Sequence, residues 1–125
     1  MNKVFISLRS EVETRFQAVL KICSQAGIED RSLTLLLKRE REGNTFIGSR
    51  TALPHAVAPG SGEILVYAKL RKPVQWGGKR SETADFIFLI VAPSRAEVKR
   101  IMADTAFKII KKGPDLTKKI FLEEF

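Results

Sequence analysis

The chain has 125 residues, 44% of them hydrophobic and 29% charged, which fits one soluble domain able to bury roughly two thirds of its unfolded surface. Twenty-two Lys and Arg against fourteen Asp and Glu give a net charge of +8, a balance that suits an acidic partner and equally serves solubility. One Cys excludes an internal disulfide and a zinc site built from several thiolates, and the longest apolar run, 86–92, is far short of the ~20 residues of a membrane helix. With no signal-peptide pattern at the N-terminus, the expectation is one cytoplasmic domain over 1–125, with no membrane insertion.

Val4-Phe5-Ile6 opens the chain as a short extended stretch. Ser10 and Glu13 stand at capping-box spacing before a helix carrying Val12, Phe16, Val19, Leu20 and Cys23, and Gly27 suits a left-handed stop. Asp30 or Ser32 is expected to cap a second helix with Leu33, Leu36 and Leu37, ending in the charged run 38–42 before Gly43. The period then changes. Phe46-Ile47-Gly48 and Thr51-Ala52-Leu53 are short strand candidates, and Pro59-Gly60-Ser61-Gly62 is a turn.

Ile64 to Leu70 alternates as a strand with Ile64, Val66, Ala68 and Leu70 on one side. Lys72-Pro73-Val74 and Gly77-Gly78 surround a connection, with Trp76 as local packing. Residues 85–91 (DFIFLIV) read as a central strand covered on both faces. Ser94 and Glu97 form another capping box, opening the longest helix, whose stripe is Val98, Ile101, Met102, Thr105, Ile109 and Ile110. Gly113-Pro114 stops it, and Asp115 is expected to cap a terminal helix through Leu116, Ile120 and Phe121. This order predicts an α/β fold, a mixed β-sheet sandwiched by α-helices.

His55 is the only histidine, set directly after Pro54 at the end of a short strand candidate. No second His, nearby Cys or carboxylate cluster accompanies it, so no metal or cofactor is expected. Cys23 falls on the apolar helix face and reads as core. A lone imidazole can still act as a nucleophile toward phosphorus, because it is largely neutral near pH 7. Such a site needs one presented His, an Arg whose fork holds phosphoryl oxygens, and a few donors.

The residues that carry a resemblance are Arg39-Glu40, then Thr45-Phe46-Ile47-Gly48, then Ala52-Leu53-Pro54-His55. Downstream stand Lys72-Pro73-Val74-Gln75-Trp76-Gly77 and the strand-Pro element 86–93. In order and over nearly the whole chain, they resemble the fructose/mannitol-type (type 2) EIIA domain of the bacterial phosphoenolpyruvate-dependent sugar phosphotransferase system, including its nitrogen-regulatory branch. The resemblance implies the EIIA (mannitol-type) fold and a phosphotransferase component with a phosphohistidine at His55. HPr or a related phosphocarrier would supply the phosphoryl group, and an EIIB domain or a regulated protein would be the partner downstream.

Arg39 matches the family's phosphoryl-holding Arg, and Thr45 and Gly48 match positions that shape the loop beside the histidine. The family's second His, at the start of the helix after the strand-Pro element, is absent. Glu97 stands nearest that place, where its carboxylate would fix the tautomer of neutral His55. Asn44 replaces the usual Ser, and Ser49-Arg50 replace a common Asn-Gly. A non-transferring EIIA-like regulatory module acting by protein binding is the alternative. Charge alone argues for nucleic acid, and no helix-turn-helix or aromatic-basic RNA motif joins it.

Overall fold

A computed structural model, describing residues 1–125, places the apolar run 85–91 inside β6 (Thr83–Ala92), in the middle of a six-stranded sheet. The sheet runs β1 (Asn2–Leu8), β5 (Ile64–Gln75), β6, β3 (Thr51–Ala52), β2 (Phe46–Gly48), and β4 (His55–Val57) also pairs with β6. β1 lies parallel to β5, β5 antiparallel to β6, and β2 antiparallel to β3. β3 and β4 both run parallel to β6 along the same edge, from Thr51 opposite Phe86 to Val57 opposite Ala92. Leu53-Pro54 interrupts them without breaking the line, since the Pro54 carbonyl accepts from the Ile90 amide at 2.9 Å. The sheet is therefore mixed, as expected.

Helices cover both faces. Val66, Ala68 and Leu70 of β5 pack with Ile87, Leu89 and Val91 of β6 against α1 (Arg15–Ala26) and α2 (Asp30–Glu42). Leu65 and Tyr67 pack with Phe88 and Ile90 against α3 (Arg95–Lys112) and α4 (Lys118–Glu124). The alternation read in β5 thus separates two cores, and burial on both faces accounts for the unbroken apolarity of β6. On the second face the Tyr67 hydroxyl donates to the Pro114 carbonyl at 2.6 Å and accepts from the Leu116 amide at 3.0 Å. That one hydroxyl fixes the α3–α4 connection. No helix is long and apolar enough to cross a membrane.

Several boundaries differ from the sequence expectations. Thr14, not Ser10, caps α1: its Oγ1 accepts from the Gln17 amide at 3.1 Å, while Gln17 Oε1 accepts from the Glu13 amide at 2.8 Å. Thr14-x-x-Gln17 has capping-box spacing, four residues on, with the glutamine reaching the Glu13 amide rather than the Thr14 amide. Gly27 ends the helix at φ +71°, as expected. Glu29 precedes α2 without a side-chain cap, and Ser32 is buried in its first turn.

β5 runs on through 72–74, because an irregularity between Lys69 and Val74 absorbs Pro73 and pairing resumes at Val74. Ile110 is 83% exposed and leaves the stripe of α3. Its neighbour Ile109 takes the core position, and adjacent helical residues point about 100° apart. Thr117, not Asp115, caps α4, with Oγ1 accepting from the Ile120 amide at 3.1 Å. Asp115 instead accepts from Lys69 Nζ at 2.8 Å.

Candidate functional site

His55 begins β4 at the sheet edge, between the helices of the two faces. Its Nδ1 lies 2.8 Å from the Leu53 carbonyl oxygen, two residues back. A carbonyl can only accept, so Nδ1 carries the proton and Nε2 keeps its lone pair. Burial lowers the imidazole pKa below its ordinary value; the Leu53 carbonyl raises it, nearby Arg39 lowers it and Glu40 raises it. Near pH 7 the ring is therefore neutral, in the tautomer a nucleophile requires.

The imidazole opens into a depression of about 700 Å3. One wall is the α2 face made by Leu35, Lys38, Arg39 and Glu42, and the other is the α3 face made by Arg95, Val98, Lys99 and Met102. Arg39 is thus brought to His55, and its Nη1 donates to the Gly43 carbonyl at 2.8 Å, closing the C-terminus of α2. Cations at such an end also suit the helix dipole.

Thr45 acts one step behind. Its backbone carbonyl accepts from the Leu53 amide at 2.9 Å, so it holds the residue that in turn holds His55. The Thr45 hydroxyl donates to Glu40 Oε1 at 2.7 Å and accepts from Trp76 Nε1 at 3.1 Å. Glu40 is fully buried and accepts also from the Thr45 amide at 3.1 Å and from Arg15 Nε at 3.2 Å. A chain of hydrogen bonds therefore runs from α1 through Arg15, Glu40, Thr45 and Leu53 to the imidazole. Trp76 belongs to this network rather than to local packing alone.

Glu97 and Gly48 are placed elsewhere. Glu97 is spent on the N-terminus of α3, where its amide donates to Ser94 Oγ at 3.2 Å and its Oε1 accepts from that hydroxyl at 2.9 Å. The Ser94 cap is present as expected, with Glu97 bonding the Ser94 hydroxyl rather than its amide, and Glu97 does not line the depression. The Leu53 carbonyl, not Glu97, sets the tautomer of His55. Gly48, at φ +92°, ends β2 and faces a separate groove with Ile109 and Ile110.

Glu40, the Leu53 carbonyl, Arg95 and Lys99 are parts of the site that sequence reasoning missed. A signal for the walls was present: 35, 38, 39, 42 and 95, 98, 99, 102 share one spacing, i, i+3, i+4, i+7, which is one helix face. No three His, Cys, Asp or Glu side chains come together as a metal-binding group.

Comparison with known proteins agrees with this architecture. Residues 1–114 match the family described as "Phosphoenolpyruvate-dependent sugar phosphotransferase system, EIIA 2". A "Nitrogen regulatory protein" of Bradyrhizobium diazoefficiens is 27% identical over 116 residues, covering 88% of this chain and 76% of that protein. In fold, the chain is similar to the mannitol IIA protein of Escherichia coli, with TM-score 0.72, 20% identity and coverage of 94% and 93% of the two chains. It is also similar to the IIA-Ntr nitrogen regulatory protein of Neisseria meningitidis, with TM-score 0.66, 17% identity and coverage of 93% and 86%. With its mixed sheet, its edge histidine and a family match over 1–114, the chain belongs to the type 2 EIIA family of the phosphotransferase system.

Proposed function

We propose that this protein is a phosphohistidine carrier, a phosphotransferase component that accepts a phosphoryl group on His55 Nε2 from HPr or a related phosphocarrier. It then passes the group to an EIIB domain or a regulated protein. The observation that carries the reading is the bond from Nδ1 to the Leu53 carbonyl, which leaves Nε2 as an unprotonated nucleophile. The Nε2 lone pair attacks phosphorus, the donor's bond to phosphorus breaks, and that electron pair stays with the donor atom. No proton has to leave His55, because the proton on Nδ1 is already held. Arg39 offsets charge on the phosphoryl oxygens, the main protein contribution to this kind of transfer. A solved complex of mannitol IIA with phosphorylated mannitol IIB from Escherichia coli, similar in fold at TM-score 0.70 and 18% identity, supports EIIB as the class of acceptor.

A second reading, a regulatory module that works by binding a protein, is favoured by the nitrogen regulatory relative at 27% identity. The two separate on one experiment. Incubation with phosphoenolpyruvate and the general phosphotransferase proteins should add a single acid-labile, base-stable phosphate, and His55→Ala should abolish it without unfolding the chain. No label at His55 from any competent donor selects the regulatory module.

A further inference from the structure

The walls of the depression at His55 are unequally charged. They carry four cations, Lys38, Arg39, Arg95 and Lys99, against the single carboxylate of Glu42. Of the other α3 cations, Arg100 pairs with Glu63, Lys108 with Asp104 and Lys112 with Glu124, while Lys111 lies over the Phe107 ring. Arg95 and Lys99, on the face toward His55, form no ion pair. Arg95 also opens α3, where the helix dipole disfavours a cation. Val98 and Met102 lie between and beyond them on the same face, giving the cations an apolar backing that strengthens their pull on an anion. These charges repel one another in the empty depression, and a bound anion would relieve that repulsion.

We propose that Arg95 and Lys99 are positioning residues that complete, with Arg39, a pocket for a phosphoryl dianion at His55. The assignment rests on the reading of His55 as phosphoryl acceptor and names the residues that hold the group there. A phosphoryl group carries about two negative charges near pH 7, more than the single guanidinium of Arg39 balances, and cations from both walls, Lys38 among them, can share it. Arg39 is also already bonded to the Gly43 carbonyl through Nη1, whereas the ends of Arg95 and Lys99 are free. Cations from α2 and α3 line the depression on two walls, so a group on the imidazole would have positive charge on both sides.

The test uses two probes that need no partner protein. Inorganic phosphate is titrated against the full chain while the His55 ring resonances are followed. The expected result is a saturable shift, weakened roughly fivefold in R95Q/K99Q, as the loss of two exposed charge contacts implies. R95K/K99R should restore binding to within about twofold, and K118Q/K119Q, which removes equal charge from α4, should leave it unchanged. An absent shift, equal binding in R95Q/K99Q, or equal weakening in K118Q/K119Q overturns the proposal.

Phosphoramidate then serves as a chemical donor: the Nε2–phosphorus bond forms, the donor's nitrogen–phosphorus bond breaks, and ammonia leaves with a proton from water. R95Q/K99Q should be labelled more slowly than the native chain, and R95K/K99R should regain the rate. Equal rates in all variants would reject a role in holding the transferred group. If phosphate binds as expected but His55 takes no label from phosphoramidate or from the phosphotransferase proteins, the anion pocket stands and the carrier reading falls.

Discussion

The Nδ1 of His55 stands 2.8 Å from the carbonyl oxygen of Leu53, so the ring is held by the backbone of its own strand edge rather than by a distant side chain. Because burial holds the imidazole pKa below its ordinary value, the unfolded chain protonates first as pH falls. Between the ordinary value near ~6.5 and the lower folded one, the unfolded state binds more protons, and stability drops with falling pH. The contribution is fully present above that window and lost through it. Ring resonances should titrate below the ordinary histidine midpoint, and urea midpoints of the native chain and His55→Gln should diverge across the same window. A midpoint above the ordinary value would contradict the burial argument.

Glu40 should matter more to stability than any exposed carboxylate. Glu40→Ala removes the acceptor for Arg15, the Thr45 amide and the Thr45 hydroxyl. Two of these donors are buried, and orphaning them should cost about 2–4 kcal/mol by chemical denaturation. The His55 ring resonances should shift as well, since Thr45 supports Leu53.

The hairpin between β2 and β3 turns at Ser49 (φ +50°) and Arg50 (φ +57°), both left-handed. Asn tolerates this region better than Ser, so Ser49→Asn should stabilise the chain by about 0.5 kcal/mol. Arg50→Gly should do the opposite. It relieves the backbone, but it strips Asp85, a mostly buried carboxylate, of the guanidinium that pairs with it through Nε at 2.9 Å. A higher melting temperature for Arg50→Gly would show that backbone strain outweighs the pair.

Neighbouring isoleucines on α3 should respond in opposite ways. Ile109→Ala empties a core position and should cost about 2–4 kcal/mol. Ile110→Lys, at an exposed site, should change stability by no more than about 0.5 kcal/mol. Equal losses would place both side chains in the core.

Cys23 is buried in the first core, and burial pushes its thiol pKa up to about 12. It should therefore resist thiol reagents in the native state at pH 8 and react at once in denaturant. Rapid native labelling would mean that α1 detaches readily from the sheet.

Much of the fold could be read from residue periodicity. The two-faced burial of β6 follows from DFIFLIV, the side alternation of β5 from 64–70, and the start of α3 from Ser94 and Glu97. Errors arose where two local signals competed within a few residues. Ser10–Glu13 and Thr14–Gln17 both have capping-box spacing, and the second is the one that starts α1. Asp115 and Thr117 are both good caps, and the Lys69 pair takes Asp115 out of contention. His55 and Arg39 came from the family resemblance, and the structure places both at one depression. The carbonyl that sets the tautomer was not legible, because no side chain announces it. Nor were Arg95 and Lys99, since their relation to His55 exists only once α3 has folded back across the sheet.

The two walls of the depression come from opposite sides of the exposed Pro59-Gly60-Ser61-Gly62 turn. Everything on one wall, with the imidazole, precedes that turn, and everything on the other follows it. A chain cut between Gly60 and Ser61 would give one piece holding β1, β4 and His55, and another holding β5, β6 and α3. Neither piece owns a complete sheet: β1 needs β5, and β4 needs β6. The pieces are thus complementary halves of one molecule, and recovered phosphate binding at the imidazole would report their reunion. On the proposed anion pocket, binding would require both halves of the chain to have found each other.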